Sequence, residues 1–424
     1  MGDPAIFEYI GHSITRGAHL YTDLWDNKLP SIYYVNALWW LAFGADYRLH
    51  ALAESAINAG TFALFALIAR TLGVTRWAAA TLVFALLYLF VGGALDQTEQ
   101  YATPLILAGI LLGLRRQGVL AAVALVAAST FWLPAIVVGI VPLFAIGGRR
   151  ERLELVLMSI VATMGCAVAF AALFGPSISS ELVRSWFSYQ AGNYVTADSV
   201  QVHRYPFPFL SPRYYIESGL GVMLCMIAIF WTHGRTRALR FTLWWSVATL
   251  AIVFALGRPS IHFFLPLYAP LVLVLGLQTL DVHAFLKRWY FSSVAVVCAA
   301  LMIVFAVRDS RRDFFGTPAA ITYTGDLVRD AFGPRVVALL PWEIYLTSDA
   351  VPPSRFFLAQ GNVKFAKDRD LWVREPTVFV DAADLRFNGV QPPDNLRFVC
   401  RNSRTLPYVI HAERPISGIS CEHT

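Results

Sequence analysis

RRQGVLAAVALVAASTFWLPAIVVGIVPLFAIGGRR (Arg115–Arg150) decides the topology of this chain. The run is apolar, carries no charge between its terminal arginines, and is interrupted at its middle by Phe131 to Pro134. As one long helix it would place Arg115 and Arg149 on opposite sides of a membrane. As two short helices meeting near Phe131 to Pro134, it returns both to the same side. Positive connectors collect on the cytoplasmic side of a membrane, so the second reading is the one to test against the other charges. Arg70 with Arg76, the Arg149, Arg150 and Arg152 cluster, Arg235 with Arg237 and Arg240, and Lys287 with Arg288 then all join Arg115 and Arg116 on one face.

Working outward, the composition agrees. With 57% hydrophobic and only 15% charged residues, a 424-residue chain is too apolar for a soluble fold, and its long uncharged runs predict a polytopic membrane protein. The net charge of +6 comes from short clusters between apolar runs, which act as topology anchors and point away from a nucleic-acid partner. Crossings are expected near residues 49–71, 77–94, 100–114, 119–130, 131–146, 153–175, 213–232, 240–256, 262–279 and 290–307. The run Leu29 to Gly44 is short and carries Tyr33, Tyr34, Trp39 and Trp40, which favour the headgroup region; it predicts a helix lying along the outer interface.

Ten crossings leave both termini outside. Met1 and Gly2 offer no signal peptide, so a first transmembrane helix is expected ahead of Asp3, the alternative being a tail translocated by the next helix. The fold class expected is an all-α polytopic membrane bundle with juxtamembrane helices, plus a small C-terminal extracytoplasmic α/β domain. Residues 1–48 form a first outer loop with interfacial helices, 49–307 the transmembrane bundle with an outer loop at 176–212, and 308–424 the outer domain. In the last, strand-like runs appear at Arg335 to Leu340 and Thr377 to Val380, with helical character around Thr324 to Ala331. Cys400 and Cys421 are placed to pair or to remain free, whereas Cys166, Cys225 and Cys298 read as packing residues within spans.

The orientation puts scattered ionisable groups at one outer boundary: Asp3 with Lys28, Asp96 with Glu99, Arg258 with His262, and the polar loop around Arg184 to Arg213. A carboxylate there can accept a proton from an attacking hydroxyl, and Lys28 can hold a phosphate. Asp3 also suits a helix N-cap, and Lys28 an interfacial anchor. Asp96 fits the N-terminus of a helix, and Glu99, three residues on, resembles the far member of a capping box or a group that orients a sugar or acceptor. Arg258 offers a forked donor to phosphate and His262 a second one, against the alternatives of snorkelling and packing. In the outer loop, Tyr194 and His203, with Trp186, Phe187, Tyr189, Tyr205, Phe207 and Phe209, are suited to close over a sugar or to belt the interface. Asp96, Tyr194 and His203 are therefore candidate acceptor or sugar contacts. No cluster with metal-ligand spacing and no cofactor motif appears, so none is assigned.

The order of an early Asp, the segment GAHLYTDLWDNKLP (Gly17–Pro30), the TEQ segment (Thr98–Gln100) and GRPSIHFF (Gly257–Phe264) resembles the bacterial branch of the GT-C glycosyltransferases. It is similar to the dolichyl-phosphate-mannose protein mannosyltransferases and the lipid A aminoarabinose transferase. The resemblance implies that Asp3 matches the family's first-loop acid, central to catalysis, that Lys28 matches the lysine contacting the lipid phosphate, and that Glu99 occupies the place of a second acid. Pro4 after Asp3, Asn27 before Lys28 and the lack of a first span depart from the pattern.

The expected activity is transfer of a sugar from a polyprenyl-phosphate donor to an acceptor hydroxyl of a glycan, lipid or protein. It would take place on the outer face of the bacterial cytoplasmic membrane, with inversion and with membrane lipids as surroundings. Asp3 and Glu99 would be catalytic; Lys28, Arg258 and His262 would bind the lipid phosphate. The competing class is a transporter or flippase for a lipid-linked saccharide, which would place its ionisable groups near the bilayer midplane.

Overall fold

The computed structural model describes residues 3–24, 26, 28–44, 46–90, 97–188, 236–255, 265–277, 318–332, 337–338, 378–382, 397–401 and 408–423. The described helices are α1 (Asp3–Thr15), α2 (Ser31–Phe43), α3 (Tyr47–Thr71), α4 (Trp77–Phe90), α5 (Thr98–Leu114), α6 (Gly118–Ser129), α7 (Ala135–Ile146), α8 (Arg149–Ser188), α9 (Arg237–Ala255), α10 (Leu265–Leu277) and α11 (Pro318–Phe332). A five-stranded sheet has the order β1-β2-β4-β3-β5, from β1 (Val337–Ala338), β2 (Val378–Ala382), β3 (Phe398–Arg401), β4 (Tyr408–Ala412) and β5 (Ser420–His423). β1 and β2 are parallel and the remaining pairs antiparallel. The expected spans 213–232 and 290–307 lie outside the described residues.

α5 is the central helix. Most of its residues from Thr98 to Leu111 are buried, the polar Thr98, Glu99, Gln100 and Thr103 of its first turns among them, and it packs against α3, α6, α7 and α10. Close approach depends on glycine: a Cβ on Gly109 would lie 2.7 Å from Leu125 Cγ, and one on Gly139 2.0 Å from Leu125 Cδ2, so Leu125 of α6 is wedged between α5 and α7. Pro104 inside α5 has no N–H to give the Gln100 carbonyl. Tyr88 of α4 supplies the missing donor, its Oη reaching Gln100 O at 3.3 Å.

That bond also sets direction. The end of α4 meets the start of α5, so Trp77 and Leu114 share the opposite end of the bundle. There Arg116 Nε lies 3.4 Å from Glu151 Oε1, and Arg116, Gly118, Gly147, Glu151 and Arg237 line one shallow cavity. A Cβ on Gly276 would meet Val74 at 2.9 Å, bringing the end of α10 there too. The described arginine connectors at 70–76, 115–116, 149–152 and 237–240 therefore occupy one end, as the two-helix reading of residues 118–146 requires. α6 and α7 run out and back with a turn at Thr130–Pro134. At 12 residues each they rise about 18 Å, less than the roughly 30 Å of a hydrocarbon core, and they are the two short helices expected to meet near Phe131 to Pro134.

Among the described residues two helical stretches, Arg48–Thr71 and Arg149–Ser180, are long and apolar enough to cross a membrane. Only 11% of the most apolar window of the second is buried in the protein, leaving Leu157, Val161, Met164, Val168 and Leu173 facing outward. Cys166 lies on this exposed surface, which corrects its assignment as a packing residue. A second correction concerns residues 176–188, expected as the start of a loop. α8 breaks at Gly175 (φ 81°), and Pro176, whose ring suits a first helical turn, restarts the helix to Ser188.

At the end opposite the arginines, α1, α2, the loop between them, the α8 kink, α11 and the sheet share a second core, including Phe7, Tyr21, Tyr33, Val328, Cys400 and Ile410. β3 and β5 pair Cys400 directly with Cys421, and the two form a disulfide, so the open alternative closes in favour of pairing. Arg414 donates to the Ala331 carbonyl at 2.6 Å and covers the Phe332 ring, tying the end of α11 to the turn after β4. Strands β3, β4 and β5 have no counterpart in the sequence reading. They are four or five residues long and of mixed polarity, and antiparallel pairing supplies what composition does not signal.

Candidate active site

The site is assembled at the head of the bundle from four elements. α1 and α2 run in the same direction: Phe7 packs edge-on to Tyr33 (5.8 Å), a Cβ on Gly11 would touch Asn36 and Ala37, and His12 stacks on Trp40 (4.0 Å). The first turn of α1, beginning at Asp3, thus lies beside the start of α2, which Lys28 immediately precedes. The backbone brings these two sequence positions together; the Asp3 side chain is outside the described residues.

Between the helices runs a strap, residues 17–30, whose described members Leu20, Tyr21, Leu24 and Asp26 are buried while Gly17, His19, Thr22 and Asp23 are exposed. Tyr21 is fully buried, donates from its N–H to Leu24 O at 2.7 Å, and donates from Oη to the Lys28 carbonyl at 2.7 Å. Burial first, and the Asp26 carboxylate second, push the Tyr21 hydroxyl well above its ordinary range, so it stays a donor. Asp26, only 5% exposed, accepts from Tyr33 Oη at 2.6 Å. Tyr21 holds φ at 66°, a region that bulky side chains avoid at a cost of about 1–3 kcal/mol. Phe170 and Phe174 of α8 pack against its ring at the Gly175 kink. On the outer side of the strap, Asp23 Oδ2 accepts from the His19 N–H (2.7 Å) and meets His19 Nδ1 (3.1 Å). The backbone donor, more than the ring, holds the exposed Asp23 carboxyl below its usual value.

Glu99 enters from the bundle side. α5 starts after Gln97, which makes no side-chain cap; Asp96, the other member of the capping box expected for Glu99, lies outside the described residues. Glu99 is 1% exposed; its Oε2 accepts from Thr98 Oγ1 at 3.0 Å and its Oε1 has no hydrogen-bond partner among the described residues. Its neighbours connect it to the head: Tyr101 stacks on Phe131 (5.6 Å) and accepts from Trp39 Nε1 (3.4 Å), while Ser31 Oγ donates to Thr130 Oγ1 (2.7 Å). Gln100 Nε2 reaches Asn58 Oδ1 of α3 at 3.4 Å. A buried carboxylate with one unused oxygen, at a helix N-terminus, is able to accept a hydrogen bond from a bound hydroxyl.

α9 ends at Ala255 and α10 begins at Leu265, both at this same head. Arg258 and His262, together with Asp96, Tyr194 and His203, lie outside the described residues. Among the described residues no group of three or more His, Cys, Asp or Glu is placed to hold a metal. The sequence reading missed Tyr21, Asp26 and Tyr33. The one available signal was an aspartate two residues before Lys28 in a segment flanked by tyrosines, and it does not reveal burial.

No family model matches the chain, and no curated protein matches it by sequence. Among solved structures, the fold is similar to that of ArnT from Cupriavidus metallidurans, in a crystal structure with undecaprenyl phosphate bound. The TM-score is 0.60 over 98% of this chain and 94% of that one, at 13% sequence identity. At this identity the likeness concerns the fold alone, which is predominantly helical with a small sheet and similar to that of ArnT.

Proposed function

We propose that this protein is an integral membrane glycosyltransferase that moves a sugar from a polyprenyl-phosphate donor to an acceptor hydroxyl on the outer face of a bacterial cytoplasmic membrane. The observation that carries the proposal is the gathering of α1's first turn, the Lys28 strap and Glu99 at one head of the bundle, opposite the arginine connectors. The ArnT-like fold supports it, because that protein binds undecaprenyl phosphate. The outward-facing apolar side chains of α3, α4 and α8 suit contact with lipid, and the arginine end suits the cytoplasmic side. Residues 49–307 act as the membrane bundle, residues 1–48 as the first outer segment and 308–424 as the outer domain.

In the proposed reaction the acceptor hydroxyl gives its proton to the Asp3 carboxylate as its oxygen bonds to the anomeric carbon. The bond from that carbon to the phosphate oxygen breaks, and the electron pair leaves with the lipid phosphate. Lys28, Arg258 and His262 receive the phosphate charge, Glu99 orients the reacting hydroxyls, and Asp96, Tyr194 and His203 contact sugar or acceptor. A single displacement inverts the anomeric centre. Purified protein supplied with a polyprenyl-phosphate sugar and an acceptor should release free lipid phosphate, and Asp3→Asn should slow release by about 10²–10⁴-fold. Full turnover in a folded Asp3→Asn protein would remove Asp3 from the mechanism, and no release by the wild type would remove the enzyme reading.

A further inference from the structure

The strap before α2 is closed by two buried phenol hydrogen bonds. Tyr21 Oη donates to the backbone carbonyl of Lys28 and Tyr33 Oη to the Asp26 carboxylate, with the two rings edge-to-face at 6.4 Å and 87°. Both tyrosines are fully buried, and Tyr21 keeps its aromatic side chain at a positive φ where glycine would fit without strain. Such a conformation persists only where the surroundings over-determine it, and the surroundings here are the α8 kink, Tyr33 and the Lys28 carbonyl itself. A lysine ammonium sits on a four-carbon stem with many rotamers, and the anchoring of its backbone is what makes its reach reproducible.

We infer that Tyr21 and Asp26 are positioning residues for Lys28, fixing its backbone so that the ammonium meets the phosphate of a polyprenyl-phosphate donor. This rests on the phosphate-binding reading of Lys28. Tyr21 acts on the Lys28 carbonyl directly; Asp26, held by Tyr33, pins the chain two residues earlier. Removing either phenol hydroxyl frees the strap while leaving Lys28 itself unchanged in the chain.

The test is equilibrium binding of undecaprenyl phosphate to the detergent-solubilised full chain, comparing wild type, Tyr21→Phe, Tyr33→Phe, Lys28→Ala and the Tyr21→Phe/Lys28→Ala double variant. Tyr21→Phe should weaken binding by on the order of tenfold, Tyr33→Phe in the same direction, and Lys28→Ala by at least as much. The double variant should bind no more weakly than Lys28→Ala alone, because Tyr21 acts through Lys28. Additive losses would show that Tyr21 supports the fold generally, and wild-type binding by Tyr21→Phe with a weakened Lys28→Ala would end the positioning role alone. Wild-type binding by Lys28→Ala would end the phosphate role of Lys28 and with it this inference. Should Tyr21→Phe fail to fold, Tyr33→Phe alone and combined with Lys28→Ala decides by the same outcomes.

Discussion

Glu99→Gln should separate stability from turnover. The side chain is 1% exposed, with one oxygen satisfied by Thr98 and the other without a hydrogen-bond partner among the described residues. A buried acceptor lacking a donor costs about 1–3 kcal/mol. Gln keeps the chain length and a carbonyl for Thr98, but its amide N–H2 takes the place of the unpartnered oxygen and brings two donors of its own into the buried site. The two costs are of similar size, so the stability of the variant should stay within about 1–3 kcal/mol of the wild type. Turnover should fall by on the order of a hundredfold or more. The melting midpoint of the solubilised protein and the release of lipid phosphate, measured on one preparation, read the two effects separately. Undiminished turnover by the folded variant would refute the reasoning, since it would make Glu99 a structural residue.

Tyr88→Phe removes the donor that covers the carbonyl freed by Pro104 and should cost about 1–3 kcal/mol in thermal unfolding; in a Pro104→Ala background, where a backbone N–H returns to Gln100 O, most of that cost should vanish. Reduction of the Cys400–Cys421 bridge, which closes a separation of 21 residues, should destabilise the sheet by about 3 kcal/mol, read as increased proteolysis within residues 397–423. Because the Asp23 carboxyl is held below its unfolded value, the strap's outer hook is at full strength above the ordinary aspartate range. It should weaken only as pH falls through the lower, folded value, and hydrogen exchange at the His19 amide should follow that acid limb and lose it in Asp23→Asn. In native membranes Cys166 should resist a membrane-impermeant maleimide yet react with a lipid-soluble one, tested with Cys225 and Cys298 replaced by Ser; ready labelling by the impermeant reagent would contradict burial of that α8 face in lipid.

How much of this was readable beforehand divides by physical cause. The helix boundaries of α3 to α7 and the common end of the described arginine connectors follow from hydrophobic run length and the positions of a few arginines. Both are local properties of the residues themselves. The break at Phe131–Pro134 belongs with them, because proline disfavours the helical conformation of the residue before it and so marks an interruption in the residues themselves. The resemblance is carried by Gly17–Pro30 and Thr98–Gln100, two segments that both lie at the head of the bundle.

Tertiary structure alone decided what those segments do. That Tyr21 bonds Lys28 and Tyr33 bonds Asp26, each across seven residues, depends on α1 and α2 running parallel against the α8 kink. That Tyr88 serves Gln100, that Glu99 is sealed with one oxygen unused, and that Cys400 faces Cys421 depend on helix crossings and strand register. Hydrophobic pattern reports which residues leave water; it carries no record of which buried polar group will find which partner, because that is settled only when separate elements pack to within hydrogen-bonding distance.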